Sequence, residues 1–229
     1  MTSATNLRLS ARAAARLRLF CRLAGFALIA ALPVLAANAV VGFGSTNLQS
    51  NIHSAGYAGV GVIAAALVLA AAVLNRRMRL GWLLFGFGVA LLAAGDLYFT
   101  VKYSTAAEPP FPNFSDVLYL AAYPTLAVGL VLLLRDRIKK PPFSLWLDAA
   151  IGVLAVSAIG GGLMFGFVAE NVGGSTLQVV VAAAYPVADL ALMGIIAAIV
   201  ALSGARLDRA MGIVMLGIGS IAIADVMYF

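Results

Sequence analysis

The chain has 229 residues, of which 63% are hydrophobic and only 10% are charged. Apolar runs of about eighteen residues or more recur along it, which predicts membrane-spanning helices and excludes an ordinary soluble domain. The 15 basic residues outnumber the 9 acidic ones, but they lie between the apolar runs, where membrane orientation explains them better than nucleic-acid binding does.

Seven helices are predicted, each long enough to cross about 30 Å of hydrocarbon at about 1.5 Å per residue. They follow a basic N-terminal segment at 1–18 and cover 19–42, 56–74, 80–101, 116–134, 145–167, 177–203 and 209–229. Every basic residue except Lys102 lies near the N-terminus or in the loops after helices 2, 4 and 6. By the positive-inside rule, we expect the N-terminus and these loops in the cytoplasm, as in a multi-pass protein of the bacterial cytoplasmic membrane.

The first predicted helix has a second interpretation. Its Arg-rich start, its apolar run and the sequence Ala37-Asn38-Ala39 resemble a cleavable signal peptide. We favour an uncleaved span, because the basic region is long and the apolar run exceeds about twenty residues. Either choice leaves the later helices in the same orientation.

A repeat is visible in the tetrapeptide AAYP, which occurs at 121–124 and again 62 residues later at 183–186. Helices 3, 5 and 7 are predicted to start near 80, 145 and 209, at a similar interval. The expected fold is therefore an all-α membrane bundle of repeated helical hairpins. The seventh helix has no return helix, so we expect the transmembrane domain at 19–229 to be truncated before an eighth helix.

Acidic residues lie in or at the ends of the apolar runs, namely Asp96, Asp116, Asp148, Asp189 and Asp225. A carboxylate near mid-membrane costs about 2.5–3.5 kcal/mol on insertion scales, so it normally faces the bundle interior with a partner. Asp189 is the deepest of them, and we expect Tyr123 or Tyr185 to be its partner. Asp148 is interpreted as a helix-start residue.

Tyrosines accompany these aspartates at helical spacing, as Asp116, Tyr119 and Tyr123 do on one face of helix 4. Two interpretations stay open. The side chains form an outward-opening polar pocket for a small ligand, or they bind one another as interhelical contacts. The candidate ligand-binding residues are Asp96, Asp116, Tyr119, Tyr123, Tyr185, Asp189, Asp225 and Tyr228.

The prolines predict helix kinks, and the scarcity of cysteine and histidine limits the possible metal and disulfide chemistry. Pro124 and Pro186 are predicted to kink helices 4 and 6, because each frees the carbonyl four residues earlier. One cysteine and one histidine exclude an internal disulfide and bis-histidine haem ligation. No catalytic signature, metal or cofactor is predicted.

The expected partner is the lipid bilayer. A small-molecule ligand and a second copy of the chain are further candidates, and nucleic acid is not expected as a partner.

The ordered motifs GDLYF, SDVLYLAAYP, LLLRDR, LDAAIG, AAYPVADL and ADVMYF cover about residues 80–229. This set resembles the membrane region of multispan bacterial diguanylate cyclases and phosphodiesterases of actinobacterial type, which carry GGDEF or EAL domains. The resemblance implies a sensory or regulatory module whose signal reaches a cyclic di-GMP enzyme in the cytoplasm. The chain contains no GGDEF or EAL motif, so we do not expect it to be an enzyme. A small-solute transporter or channel, and a structural membrane subunit, are the alternative functions.

Overall fold

The computed structural model describes residues 2–41, 46–103, 106, 108–135, 142–171, 175–202, 212–213 and 215–220. These residues form six α-helices: α1 (Thr2–Val41), α2 (Thr46–Leu74), α3 (Arg79–Tyr103), α4 (Phe114–Arg135), α5 (Phe143–Asn171) and α6 (Thr176–Leu202). A short 3₁₀ turn, Arg76–Met78, joins α2 to α3. The described part of the chain contains no β-strand, which confirms the all-α class.

Two helices begin earlier than predicted. α1 starts at Thr2 and not near 19, and α2 starts at Thr46 and not near 56. The predicted bounds followed hydrophobicity alone, whereas residues 2–18 are rich in Ala, Leu and Arg, which are strong helix formers whether or not lipid surrounds them. The bounds of α3 to α6 agree with prediction to within a few residues. Of the predicted seventh helix, only 212–213 and 215–220 are described, and they are helical.

Four described helical segments are long and apolar enough to cross a membrane: Ala14–Leu35, Arg76–Tyr103, Phe114–Leu133 and Thr176–Leu202. Two further apolar segments, Ala58–Leu74 and Phe143–Ile159, are shorter. Large apolar side chains cover much of the surface, and on α1 they include Phe20, Leu23, Phe26 and Ile29. A surface of this kind is unfavourable in water, so it indicates a membrane protein.

The helices pack in the order α1, α2, α3, α4, α6, α5, because α2 lies between α1 and α3 while α4 contacts both α3 and α6. α5 packs along α6. The largest fully buried apolar side chains, Leu126, Leu130 and Leu192, lie where α4 meets its neighbours. α4 is therefore the central helix of the described bundle.

The contact between α3 and α4 is close enough that the two backbones nearly touch. A Cβ atom added at Gly129 of α4 would lie 2.5 Å from the backbone nitrogen of Phe85 in α3. Only glycine fits such an approach, which is a common device for helix packing in membranes. Gly129 therefore fixes how near α3 lies to the central helix.

Candidate functional site

Three hydrogen bonds between tyrosine and aspartate join α4 to its neighbours. Tyr119 of α4 donates to Oδ1 of Asp96 in α3, at 2.8 Å. Two further bonds join α4 to α6. Asp116, Tyr119 and Tyr123 were predicted on one side of helix 4, but they bind two different helices. Tyr119 binds α3, whereas Asp116 and Tyr123 bind α6. α4 supplies one partner to every one of these bonds.

Asp189 faces the interior of the bundle, where only 3% of its surface is exposed. The hydroxyl of Tyr123 donates to its Oδ1 at 2.9 Å, across the α4–α6 contact. This confirms the prediction that the deepest carboxylate turns inward and has a tyrosine as partner. The physical reason is the one that motivated the prediction, since a carboxyl group facing hydrocarbon would find no hydrogen-bond donor.

Asp116 and Tyr185 form the reciprocal bond. The hydroxyl of Tyr185 in α6 donates to Oδ1 of Asp116 in α4, at 2.7 Å. The rings of Tyr185 and Tyr123 meet edge to face, with centroids 6.5 Å apart and planes at 75°. Each of the two helices therefore contributes one tyrosine and one aspartate, and each tyrosine bonds to the aspartate of the other helix. We call these four residues, with the two bonds that they form, the reciprocal pair.

Asp116 also has a local role that the sequence analysis missed. α4 begins at Phe114, so Asn113 is its N-cap residue and Asp116 is the third residue of the first turn. The backbone N–H of Asn113 donates to Oδ2 of Asp116 at 2.7 Å, while Oδ1 of Asn113 accepts the backbone N–H of Ser115 at 2.8 Å. This is a capping box, in which side chains satisfy backbone donors that the helix itself leaves unpaired.

α6 begins with a similar box. The backbone N–H of Ser175 donates to Oε1 of Gln178 at 2.7 Å, and the N–H of Gln178 approaches Oγ of Ser175 at 3.4 Å. The offset of 62 residues that relates the two AAYP copies also relates Asn113 to Ser175 and Asp116 to Gln178. The sequence signal was present in both cases, as a capping residue followed three positions later by an acidic or amide residue before an apolar run.

Gly95 makes room for the bond between α3 and α4. A Cβ atom at this position would lie 2.5 Å from Cε1 of Tyr119, so any larger residue would displace the ring. Gly95 directly precedes Asp96 in α3. The glycine therefore allows the tyrosine to lie across α3 and reach the adjacent carboxylate.

The other predicted residues have different environments. Pro124 and Pro186 lie inside α4 and α6, which continue through them. Beside the first, the hydroxyl of Thr125 donates to the backbone carbonyl of Ala122 at 2.7 Å, so a side chain binds a nearby carbonyl. The kinks themselves stay predictions. Asp148 lies in the second turn of α5, which starts at Phe143, and its side chain is exposed, so the helix-start interpretation is wrong by one turn.

Two predicted site residues, Asp225 and Tyr228, lie outside the described residues. The six described members of the candidate set form the three bonds given above. A cavity of about 530 Å³ opens elsewhere, between α5 and α6, and its lining includes Val153, Ser157, Val187 and Leu190 but no member of the set. The ligand-binding interpretation of the set stays a prediction, whereas the interhelical bonds are observed.

Together, the helices and the reciprocal pair define the class of this chain as an all-α, membrane-type protein whose helices are joined by buried tyrosine–aspartate bonds. Compared with known proteins, the chain matches no protein-family model, no curated protein and no solved structure. The resemblance to the membrane regions of GGDEF and EAL proteins therefore stays a prediction.

Proposed function

We propose that the chain is a sensory or regulatory module of the bacterial cytoplasmic membrane, with seven spans and a cytoplasmic N-terminus. It couples a signal from the outer leaflet or from within the membrane to a cytoplasmic cyclic di-GMP enzyme domain. The distribution of basic residues supports the orientation. The motifs between 80 and 229 support the link to cyclic di-GMP.

The observation that carries the sensory role is the reciprocal pair between α4 and α6. Its two bonds lie at different depths along the same helix contact, because Asp116 is in the first turn of α4 while Asp189 lies in the fourth turn of α6. A displacement at the N-terminal end of this contact must strain or break the bond between Asp116 and Tyr185. The same displacement also strains the bond between Tyr123 and Asp189, because both bonds join the same two helices. Buried polar bonds of this kind give a helix pair discrete arrangements, which signalling requires.

The same region argues against transport. C-terminal to the reciprocal pair, the buried side chains of α4 and α6 that the structure describes are apolar, and they include Leu126, Leu130, Leu133, Leu192 and Ile199. A transported ion or polar solute needs polar groups along its whole path, because hydrocarbon-like walls offer no replacement for water. The described helices continue no polar path past Asp189, so a sensor accounts for them better than a carrier does.

A fusion tests this proposal. The chain is joined through one added apolar crossing helix to a diguanylate cyclase domain, and cellular cyclic di-GMP is measured relative to the amount of fusion in the membrane. Tyr123→Phe removes the donor that Oδ1 of the buried Asp189 accepts, at a cost of about 1–3 kcal/mol, which shifts a two-state equilibrium by at least about fivefold. We therefore expect cyclic di-GMP to change at least about fivefold.

The matched control is Tyr98→Phe, because the Tyr98 ring packs on Phe114, with centroids 5.2 Å apart, outside the reciprocal pair. This variant is expected to leave cyclic di-GMP at the unsubstituted level. A fusion with an inactive cyclase domain sets the background. Equal cyclic di-GMP from the unsubstituted fusion and from Tyr123→Phe would contradict the sensory proposal.

A further inference from the structure

The segment before α4, residues 109–113, is a short strap built largely of proline. Pro109, Pro110 and Pro112 each fix their own φ angle, so the segment has few conformations. Nδ2 of Asn113 donates to the backbone carbonyl of Pro110 at 3.0 Å, which folds the strap onto its own end. Movement at one end of such a stiff segment therefore reaches the other end.

The strap is held to α6 as well as to α4. Nε2 of Gln178, in the first turn of α6, donates to the backbone carbonyl of Phe111 at 3.0 Å. Oε1 of the same amide belongs to the capping box of α6, where it accepts the N–H of Ser175. One amide side chain thus joins the strap to the start of α6, and we call it the latch.

Asp116 connects the strap to α6 a second time, through its two carboxylate oxygens. Oδ2 accepts the backbone N–H of Asn113, the last residue of the strap, and Oδ1 accepts the hydroxyl of Tyr185 in α6. The side chain is 8% exposed, so water offers little replacement for either donor. Loss of one bond therefore changes the position of the carboxylate and weakens the other.

From this geometry we infer that the strap and the α4–α6 contact move as one unit, with Asp116 as the joint and Gln178 as the latch. Any molecule or membrane change that displaces the strap alters the Tyr185 bond, and loss of the Tyr185 bond releases the strap. The strap's role as the input of a sensor rests on the proposed function. Its coupling to Tyr185 is measured without any cyclic di-GMP output, so either can fail alone.

The test is hydrogen–deuterium exchange of the full chain in lipid nanodiscs, read on peptides that cover 108–116. Tyr185→Phe keeps the ring but removes the hydroxyl that binds Asp116. A hydrogen bond worth about 0.5–1.5 kcal/mol corresponds to an increase in exchange of about two- to tenfold in the strap. Tyr119→Phe is the matched control, since it removes the same group from the α3 side of α4 and is expected to leave strap exchange unchanged.

A second variant keeps the test decisive if Tyr185→Phe does not fold. Gln178→Met removes the latch from the α6 side while leaving Asp116 and Tyr185 unchanged, and it is expected to raise strap exchange about two- to tenfold as well. Wild-type exchange rates in the strap of both Tyr185→Phe and Gln178→Met, or equal increases in Tyr185→Phe and Tyr119→Phe, would overturn the coupling.

Discussion

Replacement of Asp189 separates the structural contribution of its hydrogen bond from that of its ionisable carboxyl group. Asp189→Leu removes the acceptor of the Tyr123 hydroxyl at a site that is 3% exposed, where the cost is about 1–3 kcal/mol for a buried donor that loses its partner. Measured polar contacts in membranes average only about 0.6 kcal/mol, because partners are also found in the unfolded state. Because the site is buried, we expect the larger cost to apply, so that Asp189→Leu lowers the free energy of unfolding by about 2 kcal/mol.

Asp189→Asn gives a different expectation. The amide oxygen accepts the Tyr123 hydroxyl in place of Oδ1 and the side chain keeps its size, so the loss should stay below about 0.5 kcal/mol. The assay is reversible unfolding in mixed micelles, with the fluorescence of Trp82 and Trp146 as the signal and the free energy of unfolding as the result. Equal stability of the Leu variant and the wild type, or an Asn loss as large as the Leu loss, would refute this account of the bond.

Two further predictions concern packing and orientation. Gly95→Ala places a Cβ atom 2.5 Å from the Tyr119 ring and should lower the free energy of unfolding by about 1–3 kcal/mol. The control is Gly59→Ala, whose Cβ atom meets nothing within 4 Å, so it should be neutral or stabilising. Similar losses of stability in both variants would show that the Tyr119 ring is not held against Gly95. Reporter fusions after Lys140 should report cytoplasm and fusions after Pro110 the outside, and the reverse result would refute the proposed orientation.

The interior contacts were the most predictable part of the site. A carboxylate at the depth of Asp189 has few stable environments, and no Lys or Arg lies nearby along the helix, so a tyrosine was the expected partner. The choice of Tyr123 over Tyr185 did not follow from the sequence. It depends on the axial offset between α4 and α6, which local spacing within one helix does not contain.

The role of Asp116 shows a different limit. Its spacing from Tyr119 and Tyr123 made it a candidate both for a ligand pocket and for interhelical bonds, and the structure shows that one of its oxygens caps α4 while the other binds Tyr185. The cap was readable from Asn113 and Asp116 alone, because a capping box is local. The latch was not readable, since Gln178 and Phe111 are neighbours only once the two helices have packed.

The reciprocal pair explains why α4 and α6 pack with one axial offset and not with several. A slide of α6 by one turn, about 5.4 Å, would still place an apolar side chain where Leu192 packs, because Ala188 and Ile196, four residues to either side, are also apolar. The polar residues make such a slide costly, because it breaks both tyrosine–aspartate bonds. In one direction Asp116 would lie beside Asp189, so that two carboxyl groups face each other. In the other direction Tyr123 would move away from Asp189, and Asp116 would lose the hydroxyl of Tyr185. The tyrosine–aspartate bonds therefore select the arrangement of two helices whose apolar surfaces alone would accept others, as single polar residues select the register of coiled coils.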